Sequence, residues 1–80
     1  MANIDGYFDC EIEEEIAVLN SHGKYSLELN RVSFNGYPAN FDIRRWGCNA
    51  VGEKYPSRGV SLNRSELAAL KKQLNAMDDI

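Results

Sequence analysis

Apolar and polar residues alternate along the first half of the chain in a way that predicts two strands. Residues 14–20 form a short apolar run behind a group of glutamates, and Ser-His-Gly at 21–23 predicts a turn. Residues 24–35 predict a longer second strand, whose apolar side chains change parity partway along it. We expect a β-bulge near Asn30 and Arg31, because a bulge inserts one extra residue and switches faces. The two apolar sets are Tyr25, Leu27 and Leu29, followed by Val32 and Phe34.

The middle of the chain predicts a hairpin followed by a loop. Asn-Gly-Tyr-Pro at 35–38 is a turn sequence, because Gly accepts a positive φ and Pro donates no N–H to a ladder. Residues 39–46 predict the next strand, with one face toward the core and one toward water. Phe41, Ile43 and Arg45 share one face, and Asn40, Asp42, Arg44 and Trp46 share the other. Residues 47–56 contain two glycines and a proline, which predicts a loop.

The last third of the chain predicts a strand that leads directly into a helix. Residues 58–62 form the strand, with Val60 and Leu62 on its buried side. Asn63 is a suitable N-cap, and Glu66 completes a capping box. The helix is predicted to span about fourteen residues, because apolar residues recur at helical spacing at Leu67, Leu70, Leu74 and Met77. The predicted fold class is therefore α+β, with a four-stranded antiparallel sheet followed by a C-terminal α-helix.

The length of the chain predicts that it pairs with a second copy. At 80 residues it forms one small domain, which buries only about 60–65% of the surface that the unfolded chain exposes. Cys10 and Cys48 are far apart in sequence, and no apolar export or membrane segment precedes them. We expect them to be free thiols in a cytoplasmic protein. Without disulfides or metals, a homodimer is the usual way to enlarge such a core.

The charges are distributed unevenly along the chain. The net charge is −3, which by itself disfavours binding to phosphates. All six acids of the first 23 residues stand there without a lysine or arginine, whereas residues 24–77 hold nine bases and four acids, an excess of five. We therefore expect residues 1–13 to be an acidic N-terminal arm and residues 14–80 to be the binding domain.

Signatures of catalysis are absent from the sequence. His22 is the only histidine and falls in a predicted turn, and no serine or cysteine has a partner motif that would activate it. The run of glutamates lacks the spacing of a metal site, and no glycine-rich phosphate loop occurs. We expect neither enzymatic activity nor a cofactor, a metal, a membrane or a small-molecule substrate.

Three segments together resemble the positive cofactor 4 family of transcriptional coactivators, and most of all its small bacterial branch, known as YdbC-like. They are Glu-Leu-Asn-Arg-Val-Ser-Phe-Asn-Gly at 28–36, Asp-Ile-Arg-Arg-Trp at 42–46, and Arg-Gly-Val-Ser-Leu at 58–62 with the helix that follows. The match covers residues 15–74. Each segment is a weak signature, but their order and spacing are fairly specific.

The resemblance implies a curved sheet that dimerises through the helix and a sheet edge and binds single-stranded DNA in channels along the sheets. It implies no enzymatic activity. The implied DNA-binding residues are Arg44, Trp46, Arg58, Phe34, Lys24 and Tyr25. The dimer interface implied is Val60, Leu62, Leu67, Leu70 and Leu74. The chain departs from its bacterial relatives at Leu27, Tyr37 and Asn40, where they tend to carry lysine or arginine, and this bears on affinity more than on fold.

Chemistry supports the same interpretation, since unpaired bases stack on aromatic rings and phosphates bind cations. Tyr37 adds a further ring, and Lys54 a further cation. Each residue also has a structural alternative: Trp46 and Phe34 as core residues, and Arg44 as the partner of Asp42 or Glu28.

The predicted function is sequence-tolerant binding of single-stranded DNA, with RNA as the second candidate ligand, by a homodimer at the nucleoid, in transcription, replication or repair. One alternative is a protein-interaction dimer of the same fold with little or no nucleic-acid affinity. A small enzyme or redox protein is the third hypothesis.

Overall fold

Four consecutive strands form one antiparallel sheet, and a helix follows the last of them. The computed structural model describes residues 9–80. The sheet has the strand order β1-β2-β3-β4 and is curved and open. The predicted α+β fold is therefore confirmed. The elements are β1 (Cys10–His22), β2 (Tyr25–Phe34), β3 (Asn40–Cys48), β4 (Lys54–Leu62) and α1 (Arg64–Ala76).

Strand β1 is longer than the sequence predicted at both ends. It begins at Cys10 and continues through His22, and the turn that follows is formed by Gly23, with φ 61°, and Lys24. Part of the predicted acidic arm is therefore strand, because β2 supplies a partner for its backbone as far as Phe34, opposite Cys10. The exposed side of an edge strand tolerates glutamates well. Residues 1–8 of that arm lie outside the described residues.

The bulges in the pairing of β1 with β2 lie in β1 and not in β2, where one was predicted. Pairing between β1 and β2 shifts at three places, between Ile12 and Glu14, Glu15 and Ala17, and Val18 and Asn20. Pairing of β2 with β3 runs without a shift from Ser26 to Val32. An edge strand has only one neighbour, so an extra residue disrupts one ladder instead of two. Bulges bend a strand and increase its twist, which favours a curved sheet.

The register divides the sheet into two faces. The helix face carries Leu27 and Leu29 of β2, Ile43 and Arg45 of β3, and Val60 of β4. There the helix lies over an apolar cleft of about 280 Å³, lined by leucines of α1 together with Leu29 and Ile43. The opposite side is here named the open face. It carries Glu28, Asn30 and Val32 of β2, and Asp42, Arg44 and Trp46 of β3.

The open face is the more buried of the two, although no helix covers it. Val32 is 1% exposed and Trp46 3%, and these are the only fully buried apolar residues in the described part of the chain. Asn30 and Asp42 are also almost completely buried. On the helix face, by contrast, Leu27, Leu29 and Ile43 are only half-buried. The curved sheet thus encloses its own open face, and the core is thin and largely polar.

The junction between β4 and the helix forms as the sequence predicted. The Asn63 side chain accepts a hydrogen bond from the Glu66 N–H at 2.8 Å, and the Glu66 carboxylate accepts one from the Asn63 N–H at 2.8 Å. The capping box is therefore confirmed. Strand β4 begins at Lys54, earlier than predicted, and passes through Pro56. An edge strand permits this because the missing N–H of proline then faces away from the sheet.

Candidate nucleic-acid interface

The structure divides the predicted binding residues between the two faces and the turns. Arg44 and Trp46 lie on the open face, where Arg44 also lies over the Phe34 ring and Lys54 over the Trp46 ring. Tyr25 belongs to the opposite parity and so to the helix face. Lys24 lies in the β1–β2 turn and Tyr37 just after the β2–β3 turn, while Arg58 lies on β4. These residues do not converge on one channel within a single copy.

Lys54 is held on the open face by a buried carboxylate. Its Nζ donates a hydrogen bond to Glu28 Oε1 at 2.8 Å and lies 5.4 Å from the centre of the Trp46 ring. Glu28 also accepts from Asn30 and from the Ser26 hydroxyl. Burial raises the pKa of Glu28, but the hydrogen bonds from Asn30, Lys54 and Ser26 outweigh it and hold that pKa below its usual value.

Arg44 is held in the same way by Asp42. Its Nε and Nη2 donate to the two carboxylate oxygens of Asp42, each at 3.0 Å, and Nη1 donates to the Ser57 carbonyl at 2.8 Å. Asp42 is fully buried and also accepts from the Ser61 hydroxyl. The guanidinium lies 5.0 Å from the centre of the Phe34 ring. The structural alternative foreseen for Arg44, a pair with Asp42, is the arrangement found.

Trp46 does not offer an open stacking surface in this arrangement, which corrects the prediction of an accessible indole. The side chain is 3% exposed, and its Nε1 is buried without a hydrogen-bond partner in the described part of the chain. Lys54 Nζ lies 5.4 Å from the centre of the ring. The indole is therefore not available for stacking in this arrangement.

Arg45 is the binding candidate that sequence reasoning missed. The sequence placed it on one face with Phe41 and Ile43 and gave it no binding role. It lies on the inner strand β3, opposite Leu27, and its side chain is exposed. It shares a shallow pocket of about 330 Å³ with Tyr25, which is 48% exposed, and no carboxylate lines that pocket. The other lining residues are Asn20, His22 and Ser57.

Arg58 lies beside this pocket on the neighbouring strand. Pairing of β3 with β4 shifts between Arg44 and Trp46, so Arg45 faces Ser57 and Arg58 together. Lys24 lies in the turn next to Tyr25. Alternation along β2 puts Tyr25 and Leu27 on one face, and that part of the signal is in the sequence. The pairing of Leu27 with Arg45, which adds Arg45 to this face, is seen only in the structure.

The remaining predicted ring, Tyr37, lies at the other end of the sheet. It is 72% exposed and borders a depression on the open face with Phe34 and Asn40. Asn40 is exposed and Leu27 half-buried, so neither supplies a cation where bacterial members of the positive cofactor 4 family tend to have one.

The residues predicted for the dimer interface form a partly uncovered apolar surface. Val60 is 52% and Leu74 43% exposed, whereas Leu62, Leu67 and Leu70 are half-buried. No residue of α1 is buried. The apolar stripe of the helix is thus only partly covered by the sheet of its own chain.

The cysteines lie near opposite ends of the sheet as free thiols. Cys10 pairs with Phe34, and Cys48 pairs with Lys54 at the end near Tyr25. Burial raises the pKa of the Cys10 thiol against the opposing effect of Arg44. A raised pKa reduces the thiolate fraction on which redox chemistry depends.

Comparison with known proteins places the chain in a family. No protein-family model matches the sequence. It is 37% identical over 71 residues to an uncharacterized protein of Treponema pallidum (strain Nichols), and the match covers 88% of this chain and 80% of that protein. The chain belongs to the family of this Treponema protein.

The described residues carry no arrangement specific to other site classes. In residues 9–80 no three His, Cys, Asp or Glu side chains are grouped so as to hold a metal ion. No helix in that range is long and apolar enough to cross a membrane.

Proposed function

We propose that the chain is a dimeric, sequence-tolerant binder of single-stranded nucleic acid, DNA first and RNA second, that acts at the nucleoid without enzymatic activity. The observation that carries this proposal is the group formed by Tyr25, Arg45, Arg58 and Lys24, here named the cationic end of the helix face. Tyr25 and Arg45 line one pocket, which no carboxylate lines, and Lys24 and Arg58 are the chain neighbours of two of its lining residues, Tyr25 and Ser57.

The balance of paired and unpaired cations supports this location. Of nine lysines and arginines, three form ion pairs within residues 9–80, with Glu14, Asp42 and Glu28. Lys24, Arg45 and Arg58 form none with any described residue. When such cations neutralise phosphates, the counterions condensed on the nucleic acid are released. This release supplies most of the free energy of sequence-independent binding.

Tyr25 supplies the second requirement, a platform for bases. Stacking of one base on an aromatic side chain contributes about 1–3 kcal/mol and tolerates any sequence. Arg45 lines the same pocket, so a strand that stacks on Tyr25 brings a phosphate within reach of the guanidinium. The resemblance to the positive cofactor 4 family points to the same ligand, and there too Lys24, Tyr25 and Arg58 match binding positions.

A titration of labelled oligothymidine tests the proposal. Wild-type protein should bind with a salt slope of log affinity near −2, because three cations contribute about −0.7 each. The double variant Arg45→Gln, Arg58→Gln should reduce that slope to roughly −0.7. The matched control is Lys71→Gln, Lys72→Gln. It removes the same charge from two exposed helix residues, of which Lys71 lines the apolar cleft, and should leave the slope near the wild-type value.

Two results would contradict the proposal. Absence of binding by the wild type at low salt rejects nucleic-acid binding altogether. Equal losses in both double variants would mean that net charge, and not the cationic end of the helix face, determines affinity.

A protein-interaction dimer with little nucleic-acid affinity is the second candidate. One observation favours it: Arg44 and Lys54, the cations that the resemblance and the chemistry place on the sheet, are both neutralised by buried carboxylates. In that case the titration shows no binding at low salt, while the protein remains a dimer.

A further inference from the structure

We propose that the open face is a second strand-binding surface, restrained by two internal carboxylates, Glu28 and Asp42, that occupy its cations. This inference rests on the proposed function, because it assumes that single strands are the ligand. It concerns a different surface from the cationic end of the helix face.

The open face is built from two matched units. In each, a cation lies over an aromatic ring, and a buried carboxylate binds the cation and accepts from a serine hydroxyl. The first unit is Lys54 over Trp46, with Glu28 and Ser26. The second is Arg44 over Phe34, with Asp42 and Ser61. A strand needs the same two components, a cation for phosphate and a ring for the base.

The carboxylates act as internal competitors of phosphate. Glu28 Oε1 accepts from Lys54 Nζ at 2.8 Å, and Asp42 binds Arg44 through two hydrogen bonds of 3.0 Å. Phosphate oxygens accept from the same N–H groups in the same manner. A carboxylate fixed on the same sheet as the cation has a high effective concentration, so an external phosphate competes poorly.

The Lys54 unit is the one that opens more easily. The Lys54 side chain is 39% exposed and is held by a single carboxylate, whereas that of Arg44 is 14% exposed and also donates to the Ser57 carbonyl. When Lys54 leaves Glu28, it becomes available to phosphate at a position 5.4 Å from the Trp46 ring, whose Nε1 has no partner among the described residues. A strand that binds there therefore gains a cation beside an aromatic ring.

The variant Glu28→Gln tests this inference and preserves the shape of the unit. A glutamine oxygen still accepts from Asn30, while its amide donates to the Ser26 hydroxyl. Lys54 then loses its ion pair and keeps only a neutral acceptor, the glutamine oxygen, so phosphate can displace it. Binding of Lys54 to phosphate should make the salt slope more negative by about 0.7. The affinity ratio of variant to wild type should rise about fourfold when salt is lowered from about 400 mM to about 50 mM.

Two further variants separate release of Lys54 from a change in net charge. Glu53→Gln makes the same charge change at an exposed residue next to Lys54. Glu53 accepts a hydrogen bond from Asn49 and not from Lys54, so this variant should show no rise in affinity at low salt. Glu28→Gln combined with Lys54→Met should return to wild-type behaviour. A rise in Glu53→Gln, or one that survives Lys54→Met, overturns the inference.

Lys54→Met should cost less affinity in the wild-type background than in Glu28→Gln, because Glu28 holds Lys54 in the wild type. Equal losses in the two backgrounds overturn the inference. If the wild type binds oligothymidine and Glu28→Gln shows no higher affinity, the inference fails and the proposed function stands. If only Glu28→Gln binds, the proposed function of the wild type fails and the restraint is supported. Binding by neither overturns both.

Discussion

Glu28 shows how a single residue links the stability of the open face to pH. Its side chain is 7% exposed, and burial alone would favour the neutral acid. Three hydrogen bonds, from Asn30, Lys54 and Ser26, favour the carboxylate instead and lower the pKa of Glu28. The folded state therefore binds the ionised form better than the unfolded state does.

This difference predicts a loss of stability in acid. The contribution of Glu28 is fully present above its unfolded pKa of about 4.5, and it is lost as the pH falls through the lower folded pKa. The free energy of unfolding of the wild type, measured in urea from neutral pH to pH 3, should decrease across that window. The free energy of unfolding of Glu28→Gln should decrease less steeply over the same range. Parallel curves for the two proteins would show that Glu28 binds its proton equally well in the folded and the unfolded state.

At the scale of elements, the close approach of β3 and β4 depends on Gly59. A Cβ at this position would lie 2.5 Å from both the Ile43 carbonyl oxygen and the Arg44 Cβ. The backbone oxygen cannot move without disturbing the ladder. The glycine thus permits Arg44 to cross β4 and donate to the Ser57 carbonyl.

Gly59→Ala should consequently destabilise the protein by about 1–3 kcal/mol, since overpacking forces backbone shifts. Urea unfolding followed by the fluorescence of Trp46, the only tryptophan, measures this. The matched control is Ser57→Ala on the same strand, where an exposed side chain is shortened, with an expected change within about 0.5 kcal/mol. If both variants unfold at the same urea concentration, the strands separate more readily than the geometry indicates.

Elements were predictable from the sequence to the extent that their signals are local. The capping box at Asn63 and the alternation in β3 depend on neighbours within a few residues, and both fix their elements correctly. The ends of β1 and its three bulges depend on which partner β2 offers, and no local pattern carries that information. The site was harder to predict. Whether the guanidinium of Arg44 or that of Arg45 is available to a ligand depends on the ion pair with Asp42 and on the curvature of the sheet.

At the scale of the whole molecule, the described part of the chain buries little apolar surface. Only Val32 and Trp46 are fully buried apolar residues, and both lie beneath the open face. On the helix face, Leu19 is 54%, Val60 52% and Leu74 43% exposed. Exposed apolar patches of this kind mark interaction surfaces, and a small domain gains most from covering them.

A dimer formed through this surface predicts a particular response to charge. Wild-type protein should sediment at about twice 9.0 kDa, because stable interfaces bury about 800 Å² from each partner and the helix face offers apolar side chains for this. Val60→Glu with Leu74→Glu should shift the mass to that of a monomer, since the charges would have to be buried without partners. Both positions are exposed in the single chain, so its fold should tolerate them.

Val51→Glu is the control, because Val51 is 77% exposed in the turn before β4, away from the helix. It should remain dimeric. A wild type that sediments as a monomer at micromolar concentration would contradict the dimer and require another partner for the helix face. A dimer that survives the Val60 and Leu74 changes but not the Val51 change would move the interface to the turn between β3 and β4.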